Sequence, residues 1–213
     1  YYQVDLIEDI GLLQPKKKLI RLEPNWRQVY PQVKPPLTCL QIENTDAWDL
    51  SASWLDWLER NPEAWQSIEI LDDLVLAAET LEFSGIAETL LIPLLDRGVE
   101  LLNLNLDSRL TTEYTLPWVC RENRPALRLL AHRAFIELDI HGAASNVFQK
   151  LARQMLVLNP NDNHDFRSSL STSFLETAQP QLVVALSADY PDDFCTLTLN
   201  NILALIQLER RGE

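Results

Sequence analysis

The chain has 213 residues, 46% of them hydrophobic, and a net charge of −13, so it can bury a sizeable core and disorder throughout is argued against. Gly is scarce at five residues, and Leu and Ala dominate the apolar set, which favours helices over sheets. No apolar run reaches the roughly 18 residues of a membrane span, and no charged-then-apolar leader is visible, although a start at Tyr1 rather than Met leaves a removed leader open.

Residues 1–45 hold the basic cluster Lys16, Lys17, Lys18 and Arg21, followed by Pro24, Pro31, Pro35 and Pro36. Prolines restrict the residues before them to extended conformations and remove backbone donors, so the segment reads as a Pro-rich extended arm. From Trp48 to Trp65 the residues Trp48, Trp54, Trp57 and Trp65, with Leu55 and Leu58, recur at spacings near three and four, which predicts a short amphipathic helix ended by Asn61-Pro62. The tryptophans suit either an anchor for another protein or a seal over the end of a helical stack.

Residues 46–100 hold 13 acidic and two basic residues. Such a balance opposes non-specific nucleic-acid binding and suits a basic or neutral protein surface. The stripe Ile68, Leu71, Leu74, Val75, Ala78 and Leu81 predicts a helix with Asp72, Asp73, Glu79 and Glu82 off the apolar side, as solvated carboxylates. Ser84-Gly85 breaks it, and a second helix is expected over about 86–102, kinked at Pro93. The short turn makes the two an antiparallel hairpin.

Residues 103–121 read as a long connection with one helical turn at most. Asn123 is then a candidate N-cap with Pro125 in the first turn, for a helix running to about Ile140 and stopped by His141-Gly142. Further helices are expected over 144–158, ended by Asn159-Pro160; around Phe166, Leu170 and Phe174; from Pro180 to Tyr190-Pro191; and over 194–210. The two Pro punctuations fall 31 residues apart, close to a helical-repeat period of about 34.

The stretches Leu116-Pro117-Trp118, Glu122-Asn123-Arg124-Pro125 with Arg128, Leu158-Asn159-Pro160-Asn161-Asp162-Asn163 with Arg167, and Tyr190-Pro191-Asp192-Asp193 resemble a tetratricopeptide-type family. That family includes bacterial repeat proteins of unknown role and the eukaryotic suppressor-of-tumorigenicity family. The likeness spans about residues 116–213. It implies a right-handed stack of helix hairpins that serves protein association, with no catalytic residues to carry over. The chain departs from the consensus at Gln179-Pro180, which replaces a Gly-containing turn.

The expected architecture is therefore all-α: an arm over 1–45 and a helical-repeat domain over 46–213, with an acidic half at 46–103 and a repeat-like half at 116–213. Arg121, Arg124 and Arg128, with Trp118, are candidate protein-binding residues, since Arg124 and Arg128 share a helix face and could hold a partner's carboxylate. Internal pairing is the alternative, with the acidic segment or, for Arg133, with Glu137. Asn163 and Arg167 would join them as a polar rim, or Asn161, Asp162 and Asn163 would cap the following helix.

Cys39, Cys120 and Cys195 form neither a disulfide framework nor a zinc pattern, which fits reduced thiols in the cytoplasm. The histidines His132, His141 and His164 are scattered, and no HExxH, GxSxG, Walker or GxGxxG pattern occurs. The expectation is a scaffold or adaptor that uses no cofactor or metal and binds another protein or peptide, a second copy of itself included, and neither nucleic acid nor membrane. An architectural subunit, expected to expose a large apolar patch, is one alternative; an enzyme, expected to hold a deep pocket with perturbed titratable groups, is the other.

Overall fold

A computed structural model describes residues 1–30, 51–80, 87–107, 110, 113–193 and 195–212. Pro31, Pro35, Pro36, Trp48 and the Ser84-Gly85 break lie outside them. The described residues are mostly helical, in two compact units, Tyr1–Arg133 and Ala134–Glu213.

The first 30 residues are not an arm. Strands β1 (Tyr2–Ile7) and β2 (Ile10–Pro15) pair antiparallel, with Tyr2 opposite Pro15 and Ile7 opposite Ile10. The Tyr, Val and Ile of this stretch suit a pleated surface, and a two-residue connection leaves the strands in register. Gly11 is required by close approach, because a Cβ there would fall 2.6 Å from Tyr114 and 2.9 Å from Leu116. Helix α1 (Leu19–Val29) follows directly, with Pro24 inside it and Leu19, Leu22, Glu23 and Trp26 on its buried side. A Pro inside a helix leaves one backbone carbonyl without its donor, but burial of this stripe outweighs that loss. Trp26 is fully buried and packs 4.5 Å from Tyr30 and 5.0 Å from Trp57, ring centre to ring centre. Trp57 thus helps close this core, whereas Trp65 is exposed.

Helix α2 (Ser51–Arg60) ends at Asn61, and a 3-10 turn over Pro62–Gln66 leads into α3 (Ile68–Thr80). Helix α4 (Ala87–Asn105) lies against α3 as the expected hairpin, with Pro93 inside α4. Gly98 lets α4 approach α5 (Arg124–His141), since a Cβ would fall 2.6 Å from Leu129. The boundary between the units falls within α5, after Arg133.

Two sequence expectations fail on α3 and α5. Asp72 and Asp73 are buried, because α3 is enclosed on nearly all sides: Ile68, Ile70, Leu71, Leu74, Val75, Leu76 and Ala77 are buried as well. Asn123 does not cap α5. Its side-chain oxygen accepts from Leu13 N (3.0 Å), and its amide donates to the carbonyls of Gly11 (2.9 Å) and Pro117 (3.3 Å). These bonds, with Gly11 N to Thr115 O (2.8 Å), satisfy the outer edge of β2.

The second unit holds the end of α5 and helices α6 (Asn146–Leu158), α7 (Phe166–Glu176), α8 (Pro180–Asp189) and α9 (Thr196–Arg211). Consecutive helices from α6 onward lie side by side, and α9 covers both α7 and α8. Gly142, at φ +71°, ends α5, and Ser145 caps α6 by accepting from Phe148 N (3.2 Å). Phe148, Leu151, Met155, Phe166, Leu170 and Phe174 are buried, and Phe135 stacks on Phe166 at 4.7 Å.

Candidate functional site

In the first unit, β2, α1, α3 and the start of α5 surround a cavity of about 450 Å³. Its acidic wall carries Tyr2, Glu23 and Glu69, and its basic wall carries Arg121, Arg124 and Arg128, with Glu122 among them. Helix α1 turns Glu23 inward because it continues the stripe of Leu19, Leu22 and Trp26. One oxygen of Glu23, Oε1, accepts from both Tyr2 Oη and Ser67 Oγ, the latter at 2.7 Å. Burial pushes the Glu23 carboxyl up to about 7, and the same burial, with Glu23 beside it, pushes the Tyr2 phenol well up.

Behind the cavity two buried ion pairs brace the walls. Arg128 grips both oxygens of Asp72 from Nε (3.0 and 3.1 Å), with Nη2 on Oδ2. Arg27 reaches Asp73 and, from Nε, Glu69 (2.7 Å), while Trp26 Nε1 donates to Asp73 Oδ2 (2.8 Å). Burial raises the Asp72 carboxyl to about 6 and the Asp73 carboxyl to about 7, against the pull of their arginines. Burial also opposes the charge on Arg27, but Asp73 and Glu69 hold it ionised.

The residues singled out in the sequence divide into two groups. Arg121, Arg124 and Arg128 do come together on one wall of the cavity. Arg124 and Arg128 lie over the Trp118 ring at 5.5 and 5.9 Å, within cation-π range. Arg124 also donates to the carbonyls of Trp118 (2.9 Å) and Val119 (3.4 Å), and Arg128 is held by Asp72. Arg121 is exposed, and among the described residues it has no ion-pair partner. Arg133 pairs with Asp96 (2.6 Å), and the Glu137 carboxylate accepts from Ser145 Oγ (2.7 Å).

Asn163 and Arg167 lie in the second unit. Arg167 Nη1 donates to Asp193 (3.0 Å) and its guanidinium stacks on Tyr190 at 4.1 Å. Asn163 accepts from Asn159 Nδ2 (3.2 Å), and the cap of α7 is Asp162, whose two oxygens accept from Phe166 N and Arg167 N, each at 2.8 Å. Of the three expected caps, Asp162 fills the role, while the side chain of Asp165, directly before α7 at φ +61°, makes no capping hydrogen bond.

Sequence reasoning missed Tyr2, Glu23, Asp72 and Asp73. The signal for the two aspartates was a helix apolar nearly all round, in which the remaining charges must find internal partners. Glu23 carried a similar signal, as the lone carboxylate on the stripe of α1. Comparison with family models, curated proteins and solved structures gives no match. The likeness of residues 116–213 to tetratricopeptide-type repeats consequently rests on the residues that carry it.

Among the described residues no helix is long and apolar enough to cross a membrane, and no three His, Cys, Asp or Glu side chains are placed to hold a metal ion. Cys120 and Cys195 are free thiols; Cys39 lies outside the described residues.

A second surface feature belongs to α9. Leu197, Asn200 and Ala204 face inward, while Leu199, Ile202, Leu203, Leu205 and Ile206 are between 40% and 60% exposed. Residues 199, 202, 203 and 206 recur at helical spacing, so they form one stripe over two turns.

Proposed function

We propose that the chain is a helical-repeat scaffold that works by associating with another protein. The observation that carries this reading is the open apolar stripe on α9, a feature expected also of an architectural subunit, which equally works by association. Single exposed leucines are ordinary, but four neighbouring apolar side chains on one helix face, with Leu205 at its edge, mark a contact surface. Between Thr196 and Leu208 the helix has no charged residue, so recognition there depends on shape and apolar area. The occupant is accordingly an amphipathic helix of a partner protein, laid along α9 with anchors at spacings of three and four.

The test is a photo-crosslinking side chain placed at Leu203 in living cells, beside a Leu203→Glu/Ile206→Glu double variant followed by circular dichroism. A crosslink to a second protein, lost in a double variant that keeps its helicity, supports the reading. A crosslink only to a second copy would replace the partner with self-association. An isolated chain that neither crosslinks nor binds an apolar dye would remove the basis for a scaffold.

A further inference from the structure

We propose that the cavity of the first unit binds a small zwitterion, its amine end on Glu23 and its anionic end on Arg121. This inference stands apart from the scaffold reading, which rests on α9.

Glu23 is 6% exposed, and its Oε1 already takes two donors, Tyr2 and Ser67. Among the described residues no group donates to Oε2, which nevertheless keeps contact with the cavity and is not sealed in the core. A carboxylate oxygen that no protein group donates to, and that opens on a cavity, is left for water or for a ligand's donor. If the only task were to receive Tyr2 and Ser67, the amide oxygen of a glutamine would serve as well. A carboxylate aimed into a cavity is suited to an ammonium, which can fill the unpaired acceptor with a charge-assisted hydrogen bond.

The basic wall selects the other end. Arg124 is committed to two backbone carbonyls and Arg128 to Asp72, so Arg121 is the arginine of that wall left for a ligand. It stands just before the first turn of α5, where the free N–H groups of the helix add a positive field. Glu122 also lines the cavity; against it and Glu23 stand Arg121 and Arg124, whose carbonyl partners leave its charge in place, so the charges not paired with another ion balance and a ligand with a single strong charge is disfavoured. Between the ends, Leu13, Ile68 and Pro125 supply apolar wall for a short carbon or peptide spacer. A volume of about 450 Å³ lies in the range of small-molecule sites. The ligand class is thus an amino acid or short peptide whose amine and carboxylate are separated by several atoms.

The experiment is isothermal titration of the full chain at pH 8 with glycine, β-alanine, 4-aminobutyrate, 6-aminohexanoate and diglycine, beside the half-ligands butylamine and butyrate. One spacer length is expected to bind best, with both half-ligands at least about tenfold weaker, a difference of about 1.4 kcal/mol. Glu23→Gln, which keeps the acceptor for Tyr2 and Ser67, should weaken that zwitterion about tenfold or more. Arg121→Glu, a change at an exposed position, should shift preference from the zwitterion to 1,4-diaminobutane. No measurable heat with any zwitterion at millimolar concentration would overturn the proposal, as would binding that is indifferent to both substitutions.

Discussion

The two units solve the problem of buried polar atoms in opposite ways. The first places ionisable groups in its interior: Glu23, Asp72 and Asp73 are buried, with Arg27 and Arg128 against the aspartates. The second relies mainly on neutral groups. Gln149 donates to Ser173 (3.1 Å), Ser173 to the carbonyl of Ala143 (2.6 Å), and Asn200 to Ser171 (2.8 Å). Neutral pairs fix helices at modest net gain, whereas buried charges make a region costly to disturb and sensitive to pH. Such costs concentrate where a protein positions groups for binding, and the cavity lies in the first unit.

The comparison breaks first at Asp72. Replacing it with Ala leaves the Arg128 guanidinium, 15% exposed, without its carboxylate. Urea denaturation should show a loss of about 3 kcal/mol or more, the usual penalty for removing one member of a buried pair. A loss below about 1 kcal/mol would mean that water replaces the carboxylate easily and that the interior is less dry than the geometry says.

Glu23→Gln sharpens the contrast through pH. The folded state raises this carboxyl from its ordinary 4.5 to about 7, so its protonated form is the one favoured by folding. The corresponding stability is fully present below the ordinary value and is lost as pH rises through about 7. The glutamine variant escapes that loss. It should match the parent chain near pH 4 and exceed it at pH 8 by about 2 kcal/mol, compared by chemical denaturation at both values. Equal stability at pH 8 would show that Glu23 ionises in the folded chain without penalty.

The smallest effect belongs to the second unit. Asp162→Ala removes both acceptors at the start of α7 and should cost about 1 kcal/mol, while Asn163→Ala should cost distinctly less. Thermal melts of the pair decide between them, and the reverse order would return the cap to Asn163.

These same residues show how much the sequence could reveal. The helices from α3 onward were legible because apolar spacing of three and four is a local property, and Phe166, Leu170 and Phe174 are buried as that spacing requires. The hairpin was not, because Lys16–Lys18 and the prolines drew attention from a short β pattern whose edge is satisfied by Thr115 and Asn123. Long-range partners of that kind leave no periodic trace. Grouping Arg121, Arg124 and Arg128 was within reach of helix geometry, but only the fold brings Tyr2 and Glu23 to the same cavity. Asp72 and Asp73 fall off the apolar stripe, where periodicity places solvated carboxylates, but the apolar residues on the other sides of α3 require their burial.

Asn123 has one further consequence, for synthesis of the chain. Strand β2 leaves the ribosome about a hundred residues before the groups that close its outer edge, at Thr115 and Asn123. Until then the hairpin is a two-stranded ribbon with an open edge, a form of marginal stability in water and a template for wrong pairing. The edge of β2 therefore closes only once residue 123 has emerged, and a nascent chain stalled before it exposes that strand to chaperones for the whole pause.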